Sequence, residues 1–100
     1  MSDGVIVTFE ISVIPEAAEG FSRMGSEIIK GTRTFAGFRE LQIVRHKDDP
    51  CRFLFIEHWD SEQAYHDYIA WRAERGELEA LKQMATNIET SIWPHLIIKT

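Results

Sequence analysis

The residues best equipped for chemistry fall in one stretch of the chain. It runs Glu57-His58-Trp59-Asp60-Ser61-Glu62-Gln63-Ala64-Tyr65 and continues through Tyr68, Trp71 and Arg72. A carboxylate and an imidazole are proton acceptors, and phenols, an indole and a guanidinium are hydrogen-bond donors. With a helix starting after Ser61, positions 64, 65, 68, 69, 71 and 72 share an arc of about 160° at ~100° per residue. They are Ala, Tyr, Tyr, Ile, Trp and Arg. Tyrosine and tryptophan give apolar walls with one polar end each. Arg72 suits an anionic oxygen. The same face also suits a half-buried helix–sheet seam, and the sequence leaves both readings open.

Glu57 and His58 precede that helix on a strand, so they point to opposite faces. Glu57 shares its face with Phe53, Phe55 and Trp59. A carboxylate there is either a proton-transfer group or a structural acceptor for nearby donors. With a three-residue turn before its strand, His58 sits across from Glu40, which would orient the ring. It is either a proton acceptor or a paired histidine in a subunit seam. His66 falls outside the arc and is expected in solvent, His46 flanks a turn, and His95 follows Pro94. These histidines form no metal set. Cys51 has no companion, and no phosphate-binding or nucleophile-elbow glycine motif is present.

The elements that must position these groups follow from periodicity. Residues 5–14 alternate: Val5, Val7, Phe9, Ile11 and Val13 on one face, Ile6, Thr8, Glu10 and Ser12 on the other. Pro15 opens a helix over 15–31 with Phe21, Met24, Ile28 and Ile29 as its buried stripe. Gly20 and Gly25 predict close packing, and Gly31 and Gly37 bracket the exit. Strands over 38–46 and 51–59 form a hairpin around Asp48-Asp49-Pro50. The second of these is apolar on both sides at its middle, as a central strand is. Asp60 or Ser61 caps the next helix, with Gln63 placed for a capping box, and the helix runs to Glu74 before Gly76. A short helix follows with Leu78, Leu81, Met84 and Ala85 on one side. A last strand over 88–98 is interrupted by Pro94, which requires a sheet edge.

That order, β-α-β-β-α-(α)-β, predicts an α+β, ferredoxin-like domain spanning 1–100. Its antiparallel sheet has the order 4-1-3-2, with helices on one face. The other face carries Ile6, Val44, Leu54 and Ile56 with no helix to cover it. A second copy, sheet against sheet, is the economical cover. The composition is globular, 44% hydrophobic and 27% charged. Net charge of −5 with scattered basic residues disfavours nucleic acid and anionic membranes. No apolar run approaches the ~20 residues of a spanning helix. No signal peptide is expected from the first residues, and a lone cysteine fits a cytoplasmic setting.

Glu57-x-Trp59-x-Ser61-x-x-Ala64 and Tyr68-x-x-Trp71-Arg72, with the order of elements, resemble the antibiotic biosynthesis monooxygenase (ABM) domains. These are dimeric α+β barrels. The resemblance implies a pocket between helices and sheet in each subunit. It implies oxidation of a small quinol or phenol by O₂ without a cofactor or metal. His58, Glu57, Tyr68 and Arg72 would then be the catalytic candidates, and Phe9, Phe55, Trp59, Tyr65 and Trp71 the walls. The alternative is a non-catalytic dimeric module binding a small ligand or serving a stress role. Trp59-x-Ser61-x-Gln63-Ala64-Tyr65-x-Asp67-Tyr68 also resembles the haem-degrading branch of the fold. There, however, Tyr68 stands in place of a tryptophan and Leu78 in place of an axial histidine. Phe9 and Glu10 stand nearest a first-strand asparagine. Without the axial histidine haem lacks its main tether. Many ABM members also carry a histidine near position 68, and this chain has none there.

Overall fold

The computed structural model describes residues 4–100; residues 1–3, where a signal peptide would begin, lie outside the described residues. Strand β1 (Val5–Val13) leads through a 3₁₀ turn at Pro15–Ala17 into helix α1 (Ala18–Thr32). The hairpin of β2 (Phe38–Arg45) and β3 (Arg52–Trp59) follows. Helices α2 (Glu62–Glu74) and α3 (Glu77–Met84) precede β4 (Ala85–Trp93). The sheet order is β2-β3-β1-β4, all antiparallel. This is the predicted order, with β3 central and β4 at an edge. Among the described residues no helix is long and apolar enough to cross a membrane.

Strand alternation divides the sheet into two unlike faces. Val5, Val7, Ile11 and Val13 of β1 and Phe53, Phe55, Glu57 and Trp59 of β3 are buried beneath the helices. They form two clusters. One joins Ile11, Val13, Phe53 and Phe55 to Ala18 and Phe21 of α1. The other joins Val5, Val7 and Trp59 to Tyr65 and Tyr68 of α2. The opposite face leaves Ile6 39%, Val44 44% and Trp93 58% exposed.

Several expectations are corrected. The first helical turn after Pro15 is 3₁₀, not α. Of the predicted α1 stripe only Phe21 is buried; Met24 is exposed, and Ile28 and Ile29 are half-buried. Met24 and Ile28 border an open cavity on one side, although Ile28 still packs against the core. A Cβ on Gly20 would meet nothing within 4 Å, and one on Gly25 only ordinary contact, so neither marks close packing. Gly31 does: it lies inside α1 and its Cβ would come within 3.2 Å of Arg72 and Trp71. Ser61 caps α2, its Oγ accepting from the Ala64 N–H at 3.1 Å. Gln63 instead bonds Asp67, so no capping box forms. The last strand starts earlier than predicted and ends before Pro94, which lies outside it. A register shift at Ser12/Val13 lets Ala85 pair with Val13.

Candidate active site

A cavity of about 580 Å³ opens between the sheet and the overhanging helices. Phe9 and Phe55 form its floor, packed edge to face with centroids 5.4 Å apart. Tyr65, Tyr68, Ile69 and Trp71 of α2 form one side, Met24 and Ile28 of α1 another, and Leu78, Leu81 and Met84 of α3 a third. The size suits a small aromatic molecule, and the walls are mostly apolar. The gap under α1 is why Met24 and Ile28 of its predicted stripe are not fully buried.

Glu57 brings a carboxyl into this apolar setting. Only 5% of the residue is exposed. The Trp59 indole N–H donates to Oε1 at 3.0 Å. Oε2 makes no hydrogen bond among the described residues. Burial pushes the Glu57 pKa up, opposed by the Trp59 bond and the Arg72 charge. Tyr65 is also buried, and its hydroxyl makes no hydrogen bond among the described residues. Burial, then the charges of Glu57 and Tyr68, push the Tyr65 phenol well above its ordinary range. It therefore stays a neutral donor. No fully enclosed side-chain N or O lacks a partner among the described residues. Both unpartnered oxygens thus keep some accessible surface, and both side chains line the cavity. A buried polar group without a protein partner calls for one from elsewhere.

Tyr68 and Arg72 are occupied differently. The Tyr68 hydroxyl lies 2.9 Å from Thr32 Oγ1 and accepts from Arg72 Nε at 3.0 Å. Arg72 Nη2 donates to Thr32 Oγ1 and to the Ile28 carbonyl, both at 3.0 Å, and Nη1 donates to Glu77 at 2.7 Å. Burial raises the Tyr68 pKa, with Thr32 and Arg72 pulling the other way. For Glu77, burial is outweighed by Arg75 and Arg72, which hold its carboxyl below the usual range. Four of the five guanidinium donors are thus spent on protein. Arg72 joins α1, α2 and α3 and braces the cavity wall, with little left for a ligand anion.

The candidate residues are therefore partly assembled. Glu57, Tyr65, Tyr68, Trp71, Arg72, Phe9 and Phe55 line one cavity. Trp59 does not reach it; it is fully enclosed behind Glu57. His58 is on the other face of the sheet, as alternation from Glu57 dictates. It pairs in register with Glu40, as the three-residue turn predicts, and its Nε2 lies 3.4 Å from Arg39 Nη1. His66 is exposed and bonds Glu62. Among the described residues no cluster of His, Cys, Asp and Glu suits a metal ion. Thr32, wholly buried and central to the Tyr68–Arg72 network, escaped sequence reasoning. Its signal was its place four residues after Ile28, on the helix's inner stripe.

Comparison with known proteins gives a consistent result. Residues 4–85 match the family model for antibiotic biosynthesis monooxygenase. No curated protein matches the chain in sequence. Among solved structures, a Deinococcus radiodurans protein provisionally named an antibiotic biosynthesis monooxygenase is 24% identical over 96% of both chains, with a TM-score of 0.83. SnoaB, a cofactor-independent oxygenase from Streptomyces nogalater, is 16% identical over 97% of both chains, with a TM-score of 0.82. A conserved protein from Methanosarcina mazei is 18% identical over 90% of both chains, with a TM-score of 0.79. At these identities the structural likeness is one of fold.

Proposed function

The chain belongs to the antibiotic biosynthesis monooxygenase family, and on that premise we propose that its cavity binds a small aromatic quinol or phenol and oxidises it with O₂, using no metal or organic cofactor. The observation that carries this is the Glu57 carboxyl, buried at the wall of an apolar cavity with one oxygen held and one unpartnered. Glu57 takes the phenolic proton. The Tyr65 hydroxyl donates to the phenolate oxygen, where charge develops. The electron-rich ring then reduces O₂ and forms a C–O bond. One oxygen atom stays on carbon and the other leaves as water, so the substrate supplies all four electrons. Tyr68 and Arg72 keep the wall in place, and the apolar lining excludes water. That SnoaB is a cofactor-independent oxygenase supports the choice of reaction. The site does not use His58.

The reading includes a homodimer. The sheet face opposite the helices exposes Ile6, Val44 and Trp93, and a second copy would cover it. Incubation with a panel of hydroquinones and phenols in an oxygen electrode tests the reaction. Saturable, enzyme-dependent O₂ uptake on at least one compound is expected. Thermal stabilisation by such compounds without any uptake would favour a ligand-binding module instead.

A further inference from the structure

We propose that Trp59 is a positioning residue for the Glu57 base: it never meets the ligand, and its indole N–H holds the carboxyl by Oε1 so that Oε2 is the oxygen offered to the cavity. This rests on the reading of Glu57 as proton acceptor. The pairing is built into the strand, since residues i and i+2 share a face. Nε1 lies 3.0 Å from Oε1. The indole has no freedom to do otherwise. Its ring is wholly enclosed, caged by Phe35, Phe38, Tyr65 and Tyr68 at centroid distances of 4.7 to 6.4 Å. An indole N–H is a donor only, so within this cage it fixes the carboxyl as its acceptor.

A base must be held to within a fraction of an ångström for proton transfer. Flanking strands cannot hold it, because Val7 and Leu41, beside Glu57 in register, carry no polar side chain. From α2, Tyr65, Tyr68 and Arg72 face Glu57, and none donates to it. Glu27 of α1, Arg75 after α2, and Glu77 and Lys82 of α3 line other parts of the cavity, and each is engaged in an ion pair. Trp59 is thus the one direct hydrogen-bond donor to the Glu57 carboxyl among the described residues. A hydrogen bond to the ionised form favours ionisation, so Trp59 also offsets the effect of burial on the base.

The experiment is nitrogen-15 and carbon-13 NMR across a pH series on wild type, E57Q and W59F. In wild type the Trp59 indole resonance should shift as Glu57 titrates, and in E57Q it should stay flat. In W59F the Glu57 carboxyl should titrate at higher pH than in wild type. In W59F, at pH values where Glu57 is mostly protonated, kcat/KM for an oxidised phenol should fall roughly tenfold relative to wild type, more in kcat than in KM. An indole resonance indifferent to Glu57, or a W59F carboxyl titrating where the wild type does, would overturn the proposal. If W59F does not fold, the wild-type and E57Q pair decides alone. The expected NMR behaviour with no O₂ uptake on any phenol would leave Trp59 as the holder of Glu57 and remove the proposed reaction.

Discussion

A carboxyl held by one oxygen in an apolar wall has two measurable properties, and Glu57 should show both. As a general base it should be worth about 10² to 10⁴ in rate. E57Q should lose turnover by that factor while ligands still stabilise the protein. Because burial raises its pKa, the acid limb of kcat/KM should lie above the ordinary carboxylate range, with activity rising as pH rises through it. Stability should move the opposite way. The folded state binds this proton more tightly than the unfolded chain does. The resulting contribution is complete below the unfolded chain's carboxylate pKa and is lost as pH rises through the folded value. Urea unfolding across pH should show wild type losing stability relative to E57Q over that window; parallel curves would contradict the assignment. Strand alternation made the face of Glu57 legible in the sequence, and it equally separates His58 from the cavity. The role of Arg72 was not legible, because the partners that absorb its donors, Ile28 and Thr32, lie 44 and 40 residues away.

The elements hold the cavity through a few local devices. Ser61 caps α2 directly after the strand that carries Glu57. S61A should cost about 1 kcal/mol in urea unfolding. Gly37, between α1 and β2, has φ of +87°, and an added Cβ would lie 2.6 Å from that of Ala64. G37A should therefore cost more than S61A, since both backbone and α2 must give way. If G37A unfolded at the wild-type midpoint, the close approach of that turn to α2 would be wrong. Periods of two and of 3.6 located the four strands and the α-helices, though not the 3₁₀ turn or the ends of β4, and the crossovers fixed the sheet order. They failed where an element faces a void. The apolar Met24, Ile28 and Ile29 predict a packed α1 stripe, yet Met24 and Ile28 line the cavity. Composition cannot tell an apolar wall from an apolar contact. Likewise the start of β4 at Ala85 depends on a register shift opposite Val13, which no local pattern encodes.

At the scale of the whole molecule, two surfaces stand out among the described residues: the apolar cavity under the helices, and the uncovered sheet face, where Ile6, Val44 and Trp93 sit exposed among polar residues. The second should be covered by another copy of the chain. V44D with L54D, substitutions facing each other across β2 and β3, should convert a dimer to a monomer in sedimentation velocity at micromolar concentration. A wild-type monomer there would remove the dimer. The first surface carries the central claim, that Glu57 in its apolar cavity deprotonates a phenolic substrate which then reduces O₂. The direct test is O₂ consumption by wild type and E57Q side by side over a hydroquinone and phenol panel, at a pH above the acid limb. The account predicts saturable uptake by wild type and a loss of at least about a hundredfold in E57Q. Equal rates in the two proteins would contradict it.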